Sequence, residues 1–392
     1  MREHWTLDPG VTFVNHGSFG ACPKPVLAAA ARVRAELERE PVRFFERAYE
    51  PSLEEARIEV GRLFGARPED LVFVPNATNA VNAVLGSIGL EPDDVVLTTD
   101  HAYNACKNAV EFVARRARAR VAVARIPLPI TDPGEVVERI VACAAGKVKI
   151  ALIDHVTSQT GLVFPIARIV AALAERGIDT LVDGAHAPGM LELRLPELGA
   201  AYYAGNFHKW LCAPKSAAML WVRPDKQEGL HPTSISHGYT STRARSRFLE
   251  EFDWTGTVDP SAYLAVPEAI RFLDGLLPGG LPAVYERNRG LALAARRRLS
   301  ALLEAPPIAP ESMIGALASV PLPDAPVGAP SLPAAEPLHR TLLDEHGVEV
   351  PVFPWPAPPK RLLRVSAHLY NTEDDYEALA RALEVALRAE RR

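Results

Sequence analysis

Residues 200–223, AAYYAGNFHKWLCAPKSAAMLWVR, form an apolar run interrupted by an amide, an imidazole and an ammonium: Asn206, His208 and Lys209. A lysine in such a place commonly ends a surface turn, its stem laid along the protein and its charge in water. The same residue becomes a chemical tool if its surroundings keep it dry. Desolvation depresses the amine's pKa and leaves a lone pair that can attack a carbonyl. What else the chain sets beside Lys209 decides between the two.

Four other short polar segments follow apolar runs. PNATNA follows residues 70–74, DHAYNA follows 94–99, DHVTSQTG follows 148–153, and DGAHAPG follows 179–182. If those runs are strands of one open α/β sheet, all five segments lie at the carboxyl ends of its strands, where such sheets bind ligands. PNATNA opens a helix, whose free N–H groups and dipole favour an anion; plain N-capping by Asn76 or Thr78 is the simpler reading of that segment alone. Asp183 ends a strand expected to be fully buried, so its carboxylate needs a donor or a positive partner. The protonated ring nitrogen of a bound heterocycle would serve.

The elements that must position these residues are legible as periodicities. Apolar runs at 70–74, 94–99, 120–126, 148–154, 179–183 and 217–222 alternate with helical patterns, among them 26–40 and 52–65, with Ser52 as a candidate N-cap. Strands apolar on both faces that alternate with helices predict a mostly parallel sheet sandwiched by helices. After WTGTVDPS the texture changes, with helical patterns at 261–277, 281–304 and 335–346, a strand at 361–366 and a last helix after Asn371 and Thr372. This predicts a smaller C-terminal α+β domain, with the proline-rich stretch at 323–337 as a rigid surface loop.

Composition excludes several classes. With 392 residues, 48% hydrophobic, and a net charge of −5, the chain reads as an ordinary globular protein with no electrostatic cause to bind nucleic acid or an anionic membrane. No run is long and apolar enough to span a bilayer, and MREHWTLDPG lacks the apolar core of a secretory signal, so a cytoplasmic location is the expectation. The sequon Asn76-Ala77-Thr78 is discounted for that reason. Cys22, Cys106, Cys143 and Cys212 form no C-x-x-C pair, which argues against zinc ribbons and dithiol redox chemistry. No G-x-G-x-x-G, G-x-S-x-G or P-loop motif is present. His101, His155, His186 and His208 lack zincin spacing, and no metal is expected. An anion site at a helix N-terminus, a carboxylate for a pyridinium, an aromatic lid and one lysine are together the requirements of pyridoxal phosphate. Among the lysines, Lys209 alone lies beyond the Asp183 strand between apolar runs.

The segments FVNHGSFGACP, NATNAVNAV, DHAYNA, DHVTSQTG, DGAHAPG, GNFHKWLCAPK, FDWTGTVDPSA and LLRVSAHLYNT resemble the class V aminotransferase family of fold type I pyridoxal-phosphate enzymes, in particular its isopenicillin N epimerase-like branch. They run from residue 13 to about 372, nearly the whole chain. The resemblance implies a large cofactor-binding domain over 13–260, a small domain over 261–392, and an arm over 1–12 that associates with the small domain. It implies Lys209 as the Schiff-base lysine and base at Cα, Asp183 on the pyridine nitrogen, and His186 near the phenolic oxygen. Ala77, Thr78, Asn206 and His208 would hold the phosphate, and His101 or Tyr103 would cover the ring and act as a second proton donor. Ser158 stands where related enzymes often carry asparagine. Thr257 would reach the phosphate of a neighbouring subunit, making a homodimer with its site at the interface. Arg364 would clamp the substrate carboxylate, and Asn15 and His16 would line the entrance. Trp210 and Trp254 read as packing residues. The region 345–366 lacks the nucleophilic cysteine of the family's desulfurases, which argues against persulfide formation; the four cysteines read as small buried hydrophobes. The expected activity is epimerisation at Cα of an amino acid. The alternatives are C–S β-elimination from a cysteine-derived substrate, transamination, and a non-catalytic pyridoxal-phosphate-binding scaffold.

Overall fold

The computed structural model describes residues 1–326 and 336–390. Seven strands form one sheet in the order Leu71–Val74, Ala218–Val222, Tyr202–Asn206, Asp179–Asp183, Val148–Asp154, Val95–Thr99, Arg120–Ala124. The last five run parallel, and Ala218–Val222 is antiparallel to both its neighbours. Parallel neighbours cannot be joined by a hairpin, so helices fill the crossovers and bury both faces of the sheet. The alternation along Val148–Asp154 shows the result. Ile150 and Leu152 face one core with Val81, Val84 and Val110, while Ala151 and Ile153 face the other with Val136, Ile140 and Ile169. The α/β architecture predicted from the sequence is the one observed.

The C-terminal part carries a three-stranded antiparallel sheet with Arg361–Ser366 at its centre, between Val352–Pro354 and Leu317–Leu322. The helices Gly280–Leu303 and Glu373–Glu390 pack against each other, and the first also packs on this sheet. The chain start lies on the same part: Thr12–Phe13 pairs in parallel with Val348–Glu349, and Trp5 sets its ring edge-on to Phe272 and Tyr370. Two hydrogen bonds then tie residues 14–17 to the central strand, from Ser366 N to Val14 O and from Gly17 N to Ser366 Oγ. The segment that follows is thereby carried to the ends of the large sheet.

Several local expectations need correction. Ser52 caps nothing, because the helix Tyr49–Phe64 already runs through it, continuing from the wider turn at Phe44–Ala48. The helical pattern at 261–277 is two helices, Ser261–Leu264 and Val266–Asp274; Pro267 in the first turn of the second cannot continue the first. Of the proline-rich stretch, residues 327–335 lie outside the described residues. Among the described residues no helix is long and apolar enough to cross a membrane.

Candidate active site

A cavity of about 250 Å³ opens at the carboxyl ends of the parallel strands. Every polar segment singled out in the sequence contributes to its lining: Thr78, Tyr103, Ser158, Asp183 and Lys209 come from five different segments.

Lys209 sits on the turn after Tyr202–Asn206, and two glycines let the surrounding chain close on it. A Cβ on Gly20 would fall 2.0 Å from the His208 carbonyl oxygen, and one on Gly189 would fall 2.4 Å from the Trp210 carbonyl carbon. His16 adds a brace, with Nε2 at 2.9 Å from the Lys209 carbonyl oxygen and Nδ1 at 2.7 Å from the Tyr370 hydroxyl. The Lys209 amine is thus held where water is scarce. Burial, reinforced by the nearby Arg364 charge, lowers its pKa to about 8. Its Nζ lies 3.2 Å from Nε2 of the buried His186, which burial keeps well below the usual histidine range.

Asp183 and Asp154 end adjacent strands and stand in register. Burial and the charge of Asp183 push Asp154 well above the usual carboxylate range, so Asp154 holds its proton. Asp183 accepts from the Ala185 amide at 3.0 Å and from the Cys106 thiol at 3.1 Å. Cys106, expected to be a small hydrophobe, is therefore a donor. Burial and the carboxylate together drive its pKa far up.

The helix Ala77–Ser87 points its N-terminus at the cavity. Asn76 caps it through Asn79 N at 2.8 Å, and the Ala77 amide donates to Asn206 Oδ1 at 2.8 Å. Asn206 therefore has its amide nitrogen to offer a ligand. His208 also lines the cavity, spending Nδ1 on the Ala217 carbonyl at 3.0 Å, with a pKa lowered by burial to about 4.

Arg364 is 1% exposed and meets no carboxylate among the described residues. Its Nη groups donate to the Ser158 carbonyl and to Ser18 Oγ at 3.1 Å, it stacks over Phe353 at 4.9 Å, and Nε has no partner. Burial lowers its pKa to about 10. A buried guanidinium with a spare N–H, directly behind two cavity-lining serines, suits an anionic guest.

Some candidates fall outside the cavity. His101 is buried with both nitrogens engaged, Nδ1 to Thr160 Oγ1 and Nε2 to the Ile126 carbonyl, each at 2.8 Å, and it packs on Trp355. Of the pair in DHAYNA, Tyr103 lines the cavity and His101 does not. His16 does not line the entrance because its ring is fully spent on the brace described above. Asn15 is likewise turned inward, donating to Glu349 at 2.7 Å and accepting from Ser18 at 2.6 Å. Thr257 is exposed and away from the lining. Conversely, Ser18, Phe19 and Asp154 line the cavity without having been singled out. Asp154 carried the same signal as Asp183, a carboxylate ending a buried strand. Ser18 and Phe19 lie in FVNHGSFGACP, the segment from which Asn15 and His16 were expected at the entrance, and they are the members of it that line the cavity.

The site offers little to a metal. His16, Cys212 and His368 cluster within 4.8 Å of one another, but they lie outside the cavity and both His16 nitrogens are taken. A cofactor with an anionic end, a basic ring nitrogen and an aldehyde fits better. The helix N-terminus, the Asp183 carboxylate and the Lys209 amine all line the cavity, and Nε of Arg364 behind it has no partner.

Comparison with known proteins agrees with this chemistry. The sequence profile of the family described as aminotransferase class-V matches residues 22–313. The chain is similar to an isopenicillin N epimerase of Amycolatopsis lactamdurans, 38% identical over 97% of this chain and 96% of the relative. It is 30% identical to a probable chloroplastic L-cysteine desulfhydrase of Arabidopsis thaliana, over 96% of this chain and 83% of that one. Among solved structures it is similar to a C-DES mutant with glycine covalently linked to the PLP cofactor, with a TM-score of 0.84 at 20% identity over 98% of both chains. That last likeness is one of fold.

Proposed function

Because this chain belongs to the class-V aminotransferases, a family of pyridoxal 5′-phosphate enzymes, we propose that it removes the Cα proton of an amino acid and returns one to the opposite side, as an epimerase or racemase. One observation carries the reading. The cavity holds two proton carriers of suitable kind, and they come from either side of the strands that end in Asp183 and Asp154. Lys209 follows Tyr202–Asn206 on one side, and Tyr103 follows Val95–Thr99 on the other. The Lys209 amine, near 8, accepts and releases protons near neutrality. The Tyr103 hydroxyl, raised by desolvation and by nearby Cys106 and Asp183, is protonated near neutrality.

When bound, pyridoxal phosphate supplies an aldehyde that an amine captures and a ring that draws electron density from Cα. The chain's residues do the rest. Ala77, Thr78, Asn206 and His208 would hold the phosphate at the helix N-terminus, and Asp183, steadied by Ala185 N–H and the Cys106 thiol, would pair with the ring nitrogen. Ser158 and His186 would hold the ring, His186 on its phenolic side. Lys209 would be the amine for the aldehyde and would take the Cα proton at Nζ. Arg364, reached past the lining serines Ser18 and Ser158, would hold the substrate carboxylate, with its guanidinium fixed by Asn15 and Ser18. Residues 13–260 act as the cofactor-binding domain, 261–392 as the smaller domain that brings Arg364, and 1–12 as an arm on the latter. Thr257, Val258, Ile235 and Tyr239 are exposed, and a second subunit would cover Thr257, which would reach the phosphate of the neighbour.

A second reading, C–S bond cleavage in a cysteine-derived substrate, is favoured by the desulfhydrase relative. Incubating the cofactor-loaded enzyme with single enantiomers and analysing the products on a chiral column separates the two. Appearance of the other enantiomer without keto acid supports epimerisation. Keto acid and ammonia without an added amino acceptor overturn it in favour of the lyase.

A further inference from the structure

Trp210 has no part in the chemistry above, yet its indole nitrogen touches the residue that touches Lys209. Trp210 Nε1 lies 3.2 Å from His186 Nδ1, and His186 Nε2 lies 3.2 Å from Lys209 Nζ. An indole N–H only donates. Nδ1 must therefore be the accepting nitrogen, and a neutral imidazole then carries its single proton on Nε2, the side that faces the lysine. An Nε2–H aimed at Nζ is satisfied by a free amine, which has a lone pair, and opposed by an ammonium, which has none. We propose that Trp210 is a positioning residue that fixes the His186 tautomer, and through it favours the free base of Lys209.

The surroundings leave His186 no other way to settle its proton. The ring is 2% exposed, so water cannot exchange the two tautomers freely. Trp210 is fully buried, with its ring packed against His16, at 5.0 Å between centroids, and His368, at 6.1 Å, which stack on each other at 4.2 Å. The indole therefore cannot rotate away from Nδ1 without disturbing a packed cluster. The charged and titratable groups acting on His186 are Lys209, Arg364, His16 and His208. Those acting on Lys209 are Arg364, which favours the free amine, and Asp183, Cys106 and Asp154, which oppose it. The same Nε2–H is also the donor that His186 offers to any oxygen anion placed in the cavity. Trp210 would thus set the donor side for a bound ligand as well as for the lysine.

The inference rests on the reading of Lys209 as the reactive amine, but its test does not need the loaded enzyme. The probe is nitrogen-15 NMR of the apoprotein labelled at histidine, with Trp210→Phe and with Trp210 replaced by the isosteric 3-benzothienylalanine, which keeps the shape and lacks the N–H. In the parent protein His186 should show a protonated Nε2 and a bare Nδ1. In both replacements the tautomers should mix. The pH profile of Lys209 labelling by an amine reagent should move up by about one pH unit, a roughly eightfold loss of free amine near neutrality. If the Phe variant fails to fold, the isostere decides. An unchanged tautomer and an unchanged labelling profile in the isostere would overturn the proposal. Borohydride reduction with pyridoxal phosphate, followed by peptide mapping, is the separate check on Lys209. Its failure in the parent protein would sink the underlying reading while leaving the tautomer result standing.

Discussion

Replacing Arg364 by methionine should separate binding from stability. The guanidinium is 1% exposed, and burial lowers its pKa to about 10. At about 1.4 kcal/mol per pH unit that is on the order of 3 kcal/mol against the charged form. Offsetting it are the hydrogen bonds to the Ser158 carbonyl and Ser18 Oγ, worth about 1.5–3 kcal/mol each. The two effects nearly cancel, so the apoprotein of Arg364→Met should keep its stability to within about 2 kcal/mol. The substrate carboxylate, in contrast, loses a charge-assisted clamp worth about 3 kcal/mol or more, a fall of roughly 150-fold in kcat/KM. Denaturant melts of the apoprotein measure the first quantity. The ratio of kcat/KM for an amino acid to that for its α-amide measures the second, and the variant should lose that preference. A variant that is several kcal/mol less stable and still prefers the acid by the parent's ratio would refute the reasoning.

Three further outcomes follow from the same geometry. Lys209 titrates at about 8 when folded against 10.5 ordinarily, so between those values the unfolded chain binds more protons and stability rises with pH. Lys209→Met should abolish that rise and stabilise the apoprotein by roughly 2–3 kcal/mol below it, read from melts across the alkaline range. His208 gives Nδ1–H to the Ala217 carbonyl, so Nε2 can donate to a phosphate only after taking up a proton. Calorimetry of inorganic phosphate binding in buffers of different ionisation enthalpy should show proton uptake in the parent, tighter binding at lower pH, and neither effect in His208→Gln. Burial drives the thiols of Cys106 and Cys212 far up and that of Cys22 to about 12. A thiol reagent at mildly alkaline pH should therefore label Cys143 alone in the folded protein, as mass spectrometry of peptides would reveal.

Much of the sheet was legible because its strands are short apolar runs punctuated by polar ends. The predicted runs at 148–154, 179–183 and 361–366 are strands with those same bounds. The strand leading into Lys209, Tyr202–Asn206, was not singled out. Two tyrosines among alanine and glycine carry little β signal, and burial on both faces supplies what propensity lacks. Leu317–Leu322 escaped for a different reason. Pro321 interrupts its pattern, and it is tolerated because the strand has a neighbour on one side only.

The site was legible where polar segments follow apolar runs, as with Thr78, Asp183 and Lys209. It was not legible where side chains choose between core and cavity. DHAYNA presents a histidine and a tyrosine two residues apart, and only the tertiary contacts of His101 with Thr160 and Ile126 turn it inward. His16 is similar, since its brace on Lys209 spans the whole fold. Phe19, 75% exposed and lining the cavity, comes from the chain start and has no local signature of its position.

The central claim is that Lys209 and Tyr103 serve opposite sides of one Cα. Its most direct test is proton NMR of the cofactor-loaded enzyme and its Tyr103→Phe variant, each given one enantiomer of an amino-acid panel in deuterated water. The account predicts that the parent loses the Cα proton signal and inverts configuration together. The variant should still exchange the proton through Lys209 but should return it with retention. Inversion that persists at the parent's rate in Tyr103→Phe would contradict it.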